Sequence, residues 1–249
     1  MKIKFLNLNI WYGKLLDDVI KFIKKENPDI ISLQEVYDGK KMSPKWLNSY
    51  SLIKKELNYK YSSFAPAFYV EEKGKRINQG QVILSRYPVI NQKIFFYDIP
   101  YGKFIFPAKD FSRVPRNLQK IRLNIKGKNL NIFNTQGIWG KDQLDNARRI
   151  KMSKKIIGQI RGKKYVILSG DFNVNPQTTT IKNIEKFLRN PFKKKLITTI
   201  NPKRINKAIN ERKSILDMVF VSSYIRILNF YCPKVDVSDH MPLIIVFEI

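Results

Sequence analysis

The chain has 249 residues, 43% of them hydrophobic, which suits one large α/β domain spanning 1–249 with a sizeable core. A single cysteine, Cys232, excludes an internal disulfide, and with only one histidine no zinc-type spacing exists. Lys and Arg number 47 against 20 Asp and Glu, a net charge of +27; that excess suits a polyanionic partner, either nucleic acid or an anionic membrane lipid, beside the plainer reading of a solvated basic face.

Asn7, Asn9 and Gly13 interrupt any secretory leader, and no apolar run approaches the roughly 18–20 residues of a membrane span, so the expected location is cytoplasmic. Lys2 to Trp11 alternates apolar and polar residues and predicts a strand ending near Asn9. Leu15, Val19, Phe22 and Ile23 recur at helical spacing, with Asp17 and Asp18 in the first turn and Asn27-Pro28 as the stop. Asp29 to Val36 is a short buried strand with Glu35 at its C-terminal end. Such a β-α-β start places Asn9 and Glu35 on one rim of neighbouring parallel strands.

A short helix is expected within 43–57, then strands over Tyr61–Tyr69, Gln81–Leu84 and Val89–Tyr97. An aromatic stretch follows, Phe95 to Phe111, mixed with Lys103, Lys109 and Arg113; part of it is core, and an exposed part would stack bases or touch lipid. Leu118–Ile125 and Leu130–Thr135 flank Lys126-Gly127-Lys128 as a hairpin. Lys141–Arg161 reads as a helix with Leu144, Ala147, Ile150 and Ile157 on one side and Arg148, Lys151 and Lys155 as a basic ridge. Tyr165–Leu168 is a buried strand leading into Gly170-Asp171-Phe172-Asn173. Residues 176–213 lack a regular pattern and hold Lys193, Lys194, Lys195, Lys203, Arg204, Lys207, Arg212 and Lys213 against only Glu185 and Glu211. Strands resume at Ile215–Val221, containing Asp217, and at Ile225–Tyr231. The loop Ser238-Asp239-His240, with the chain's only histidine, precedes a last apolar run from Pro242 to Phe247.

Asn9, Glu35, Asp171, Asn173, Asp239 and His240 thus all fall on loops or strand ends beside apolar strands. Taken singly, Asn and Asp cap helices and close turns, and a lone histidine is commonly structural. Together they form an oxygen-rich set with one imidazole, which selects Mg²⁺ or Mn²⁺ over zinc. That is equipment for displacement at phosphorus: a metal for phosphoryl oxygens, a carboxylate for water, an imidazole for protons.

NLNIW, LQEV, VILSRYPV, NTQGIWG, GDFNVNP, LDMVFVS and SDHMPL, in that order from Asn9 to Pro242, resemble the endonuclease/exonuclease/phosphatase superfamily with its deoxyribonuclease I-like fold. The resemblance implies a four-layer α/β sandwich, two packed mixed β-sheets flanked by α-helices, with the site at one end. It implies Glu35 as the main Mg²⁺ ligand with Asn9 and Asp239 close to the metal, and Asp171 as the base that activates water. It further implies Asn173 bonding the developing phosphorane and His240 at the scissile phosphate, its other ring nitrogen held by Asp217. Where many members carry His in an NTH motif, this chain has Gln136, which donates a hydrogen bond but moves no proton. Asn134, Arg148, Lys193, Lys194 and Lys195 are the expected substrate contacts. The expected protein is a monomeric Mg²⁺-dependent phosphodiester hydrolase, a nuclease acting on DNA or RNA. Two rivals stand beside it: a sphingomyelinase-like phospholipid phosphodiesterase, and a catalytically weakened nucleic-acid-binding homologue.

Overall fold

Apolar and polar residues alternate through the opening segment, and in the structure, a computed structural model describing residues 1–39, 42–106, 110–204 and 214–249, they form strand β1 (Ile3–Asn9). Lys109, Lys207, Glu211, Arg212 and Lys213 of the basic and aromatic segments lie outside the described residues. Helix α1 (Leu16–Glu26) buries Val19, Ile20, Phe22 and Ile23 and stops at Asn27, whose left-handed backbone ends the helix. β2 (Ile30–Asp38) returns parallel to β1. After α2 (Ser49–Leu57), β3 (Tyr61–Glu72) and β4 (Lys75–Ser85) form a long hairpin, and β10 (Arg226–Tyr231) and β11 (Leu243–Glu248) pair on the other side. The resulting six-stranded sheet has the order β10-β11-β1-β2-β4-β3. A second, five-stranded sheet has the order β5-β6-β7-β8-β9, from β5 (Val89–Phe96), β6 (Asn117–Ile125), β7 (Lys128–Gln136), β8 (Tyr165–Asp171) and β9 (Asp217–Val221). Each sheet is mixed, with one parallel pair: β1–β2 around α1, and β7–β8 around α3 (Ala147–Ile160).

Four layers follow from where the apolar side chains point. Ile3, Phe5, Ile83 and Ile245 of one sheet meet Ile121, Leu123, Ile132 and Ile167 of the other. On the outer faces, Leu6, Leu8, Ile31 and Leu33 pack under α1, while Phe133, Val166, Leu168 and Phe220 pack under α3 and the short α4 (Thr179–Glu185). The expected four-layer sandwich of two mixed sheets between helices is the fold.

Along the inner faces the composition changes in one direction. β1 reads Ile3, Phe5, Asn7, Asn9; β7 reads Leu130, Ile132, Asn134, Gln136; β8 reads Ile167, Ser169, Asp171. The sheets are therefore joined by hydrocarbon at one end and by amides toward the other. In the amide zone Gln34 Nε2 donates both to Asn7 Oδ1 of its own sheet (3.0 Å) and to Asn134 Oδ1 of the opposite sheet (2.6 Å). Asn134 Nδ2 in turn donates to the carbonyls of Leu33 (3.0 Å) and Val82 (3.1 Å).

Three sequence expectations need correction. The helix expected over 141–161 begins only at Ala147, because Asn146 caps it by accepting the Arg149 N–H at 2.9 Å. Its buried face is Arg149, Met152, Ser153, Ile156 and Ile160, whereas Leu144 and Ala147 are exposed. Within 176–213 the structure adds α4, capped by Thr178.

Candidate active site

At the amide-lined end of the sandwich, β1, β2, β7, β8 and β9 bring their termini together around a cavity of about 380 Å³. Glu35, Gln136, Asp171, Asn173, Asp239 and His240 line it. The register is what assembles them: Asp171 on β8 stands opposite Gln136 on β7 and opposite Asp217 on β9. Glu35 falls in the irregularity of the β2–β4 pairing between Leu33 and Val36 and has a left-handed backbone (φ +61°). Such a bulge re-aims a side chain that a regular strand would point elsewhere. Close packing at the end of β8 demands glycine at 170: φ is +147°, and a Cβ there would lie 1.9 Å from the Thr135 carbonyl oxygen.

The side chains are tied in three small networks. Asn9 Nδ2 bridges two carboxylates, donating to Glu35 Oε1 (3.1 Å) and Asp171 Oδ2 (3.2 Å), while its Oδ1 accepts the Trp11 N–H (3.0 Å). Asn173 donates its backbone N–H to Asp171 Oδ1 (3.0 Å) and its amide to Asp171 Oδ2 (3.3 Å) and Gly137 O (3.2 Å). His240 Nδ1 pairs with Asp217 Oδ2 at 2.7 Å, leaving Nε2 toward Asp239, 4.0 Å away. Thr199 Oγ1 accepts the N–H groups of Leu216 (2.9 Å) and Asp217 (3.1 Å), and so holds the start of β9 in place. Ser238 Oγ donates to the Asn9 carbonyl at 2.6 Å, which anchors the Ser238-Asp239-His240 loop to β1.

Burial raises the Asp171 carboxyl to about 7; the His240 imidazolium opposes this, and the carboxylates of Asp217 and Glu35 add to it. Asp239 is raised to about 6, again chiefly by burial, with Glu35 contributing. For His240 burial works to lower the pKa, but Asp217 and Asp239 outweigh it and hold the imidazole well above its ordinary value. These partners favour the imidazolium over the neutral ring, beside a concentration of carboxylates.

That excess of negative charge fits a divalent cation. Glu35 Oε1 takes both amide donors, so Oε2 is left to face the cavity, and Asp239 presents its own carboxylate to the same space. Both are hard oxygen donors, as Mg²⁺ requires. A second group able to hold a metal is Asp171, Asp217 and His240, whose ligand atoms lie within 4.8 Å of one another.

Two residues that sequence reading passed over belong to the site. Arg116 is buried just beyond Asn117, where the β6–β7 register leads to Gln136. Its guanidinium donates to Gln136 Oε1, and Gln136 Nε2 donates to Glu35 Oε1 at 2.6 Å. The hairpin around Lys126-Gly127 carries that signal, since counting back from the turn brings 116 and 136 to the same end. Arg149 is wholly buried and binds the carbonyls of Ile138 (3.0 Å), Gly140 (3.2 Å) and Asn173 (3.1 Å), stapling the loop after β7 to the loop after β8.

The expected substrate contacts are not brought to the cavity. Asn134 is fully buried two residues below Gln136 and spends its amide on the opposite sheet. Arg148 pairs with Asp98 and reaches Ser112 Oγ, and it does not line the cavity. Lys193, Lys194 and Lys195 are exposed on the segment after α4, and Lys193 pairs with Glu185 at 2.7 Å; none of the three lines the cavity. Beside the site lies a larger apolar hollow of about 630 Å³, sharing Tyr12, Lys14 and Phe111 with it and walled by Tyr37, Trp46, Phe104 and Phe106. Ile105 stands 70% exposed at its edge. Among the described residues no helix is long and apolar enough to cross a membrane.

Comparison with known proteins agrees with the fold. The family model described as Endonuclease/Exonuclease/phosphatase family matches residues 6–240. An uncharacterized protein of Acanthamoeba polyphaga mimivirus is 28% identical over 98% of this chain and 100% of its own length. Among solved structures, a Bacteroides thetaiotaomicron mannosyl-6-phosphatase superposes with a TM-score of 0.71 at 16% identity, covering 99% of this chain and 100% of that one. TDP2 of D. rerio, complexed with single strand DNA product, superposes with a TM-score of 0.69 at 15% identity, covering 100% and 99%. The two structural likenesses carry the fold alone, and the family match spans nearly the whole chain. The chain belongs to the endonuclease/exonuclease/phosphatase family, whose members hydrolyse phosphoester bonds.

Proposed function

We propose that the chain is a Mg²⁺-dependent phosphodiesterase acting on nucleic acid. The observation that carries this reading is the meeting of Asp171 and the Asp217-supported His240 in one cavity with the Glu35 and Asp239 carboxylates. Glu35 and Asp239 would hold the cation, and Asn9, buried behind the cavity wall, would orient Glu35 through its amide; a bound divalent ion would supply charge neutralisation at the phosphoryl oxygens. Asp171, aligned by Asn9 and Asn173, takes the proton of the attacking water. His240 places an imidazolium N–H at Nε2 toward the phosphate, and Asp217 fixes its tautomer. Gln136 orients Glu35, because its amide nitrogen is already engaged there and its oxygen is taken by Arg116.

Nucleic acid is the favoured substrate because the +27 charge is spread over the surface instead of being gathered around the aromatic hollow. The D. rerio TDP2 complex, with DNA in a related fold, supports the same choice. A phospholipid substrate is the second reading, and the apolar hollow beside the cavity favours it. A panel decides: labelled single- and double-stranded DNA, RNA, abasic oligonucleotides and a choline lipid, each with Mg²⁺ and with EDTA. Mg²⁺-dependent cleavage of an oligonucleotide, lost in Asp171→Asn, is expected. Turnover of the lipid alone transfers the assignment to the second reading, and binding without any turnover leaves a nucleic-acid-binding homologue.

A further inference from the structure

The outer face of the five-stranded sheet is only partly covered. α3 and α4 pack over Phe133, Val166 and Leu168, and toward the β6–β7 turn a concavity of about 570 Å³ lies open. Strand register builds it. Lys93 on β5 stands directly opposite Lys120 on β6, and Arg122 stands between Asn91 and Asn131 of the strands on either side. Lys128, Lys163 and Lys164 complete the cationic lining, which contains no Asp or Glu. None of these six cations forms an ion pair among the described residues. Some surface lysines elsewhere are answered, Lys24 by Glu56, Lys45 by Asp17 and Lys193 by Glu185, and others such as Lys194 and Lys195 are not; what sets these six cations apart is that they line one hollow.

Like charges directly opposite each other destabilise a sheet. The Lys120 ammonium registers the conflict, held below its ordinary pKa by burial and by Lys163, Lys93 and Arg122. The ring of Phe133, 5.8 Å from the Lys120 ammonium, offsets this only in part, and a local rule broken with no anion beside it points to a partner outside the fold. We propose that this hollow is a second, non-catalytic site for the phosphate backbone of a nucleic-acid strand. The choice of occupant rests on the nucleic-acid reading of the active site. The lining favours a strand over a bilayer: it is recessed, and it offers the amides of Asn91, Asn129 and Asn131 between the cations. Along β7 the lining runs from Lys128 to the level of Phe133, opposite Lys120, so it begins about 10 Å and ends about 27 Å from Gln136 at about 3.4 Å per residue, about 3 to 8 base pairs of duplex. The hollow would hold the strand that the cavity cuts, away from the scissile bond.

The test compares full-length Asp171→Asn protein with the same protein carrying Lys93→Gln, Lys120→Gln and Arg122→Gln. Binding of a labelled 30-nucleotide single strand is measured against salt, with phosphatidylserine vesicles as a second probe. Loss of three phosphate contacts should lower the slope of log K against log salt by about 2, at about 0.7 per contact. In the Asp171-containing enzyme, turnover of a dinucleotide should be unchanged while that of the 30-mer falls. Should the triple variant not fold, Lys163→Gln with Lys164→Gln, off the strands, should lower the slope by about 1.4. An unchanged slope overturns the proposal, and so does a loss confined to vesicle binding. A lowered slope in a protein that cuts no nucleic acid supports this site while sinking the catalytic reading.

Discussion

In the proposed reaction Asp171 acts ionised and His240 acts protonated. A base acts only as the carboxylate, so turnover should rise with pH through an acid limb near 7, where burial has placed Asp171. Added Mg²⁺ should move that limb downward, because a cation favours the ionised carboxylate. The imidazolium must persist, so an alkaline limb should appear well above the ordinary histidine value. Asp217→Asn removes the anion that sustains it, and the alkaline limb should shift to lower pH; a pH–rate profile with an unmoved limb would refute the pairing's role. Gln136 allows a sharper choice. If it acts by holding Glu35, Gln136→Ala should raise the Mg²⁺ concentration for half-maximal activity about 10–100-fold and leave the saturated rate nearly intact. A changed saturated rate with unchanged Mg²⁺ demand would instead place its amide on the phosphate. Asp171, Asn173, Asp239 and His240 were legible because acids are scarce in this chain and sit in recognisable spellings. Arg116 was not, since nothing local marks one arginine among 47 basic residues as buried.

Elements were legible where hydrophobic period and turn residues agreed. The β6–β7 hairpin, α1 and the final strand fall within a few residues of expectation. α3 was misphased because Leu144 and Ala147 extend an apolar pattern that the fold leaves exposed, while the buried face includes a charged residue, Arg149. No hydrophobic count anticipates a guanidinium spent on backbone carbonyls. The start of α3 rests on its cap: Asn146→Ala should cost about 1 kcal/mol, read as a lower urea midpoint with an unchanged m-value. A loss near zero would mean that the helix is held by packing alone. Glu35 shows the limit from the other side. Its place at a strand end could be read, but not the bulge and left-handed backbone that turn it into the cavity, because those arise from pairing with β4.

For the whole molecule, a net charge of +27 means that folding gathers like charges, and salt should relieve the repulsion. The melting temperature should rise between about 0.05 and 0.5 M NaCl, where the screening length falls several-fold; a flat or falling response would show that local ion pairs dominate. The same interior that resists this repulsion is not uniform. Its hydrocarbon end would tolerate sliding of one sheet over the other, since methyl groups find equivalent neighbours after a small displacement. Its amide end would not, because Gln34 reaches across to one acceptor on Asn134, and Asn134 to two carbonyls. Glu35, Asn9 and Asp239 ride on one sheet, and Asp171, Gln136 and Asp217 on the other. The buried amides therefore act like dowels between two halves of a mould: they touch no substrate, yet they set the clearance at which the halves of the chemistry meet.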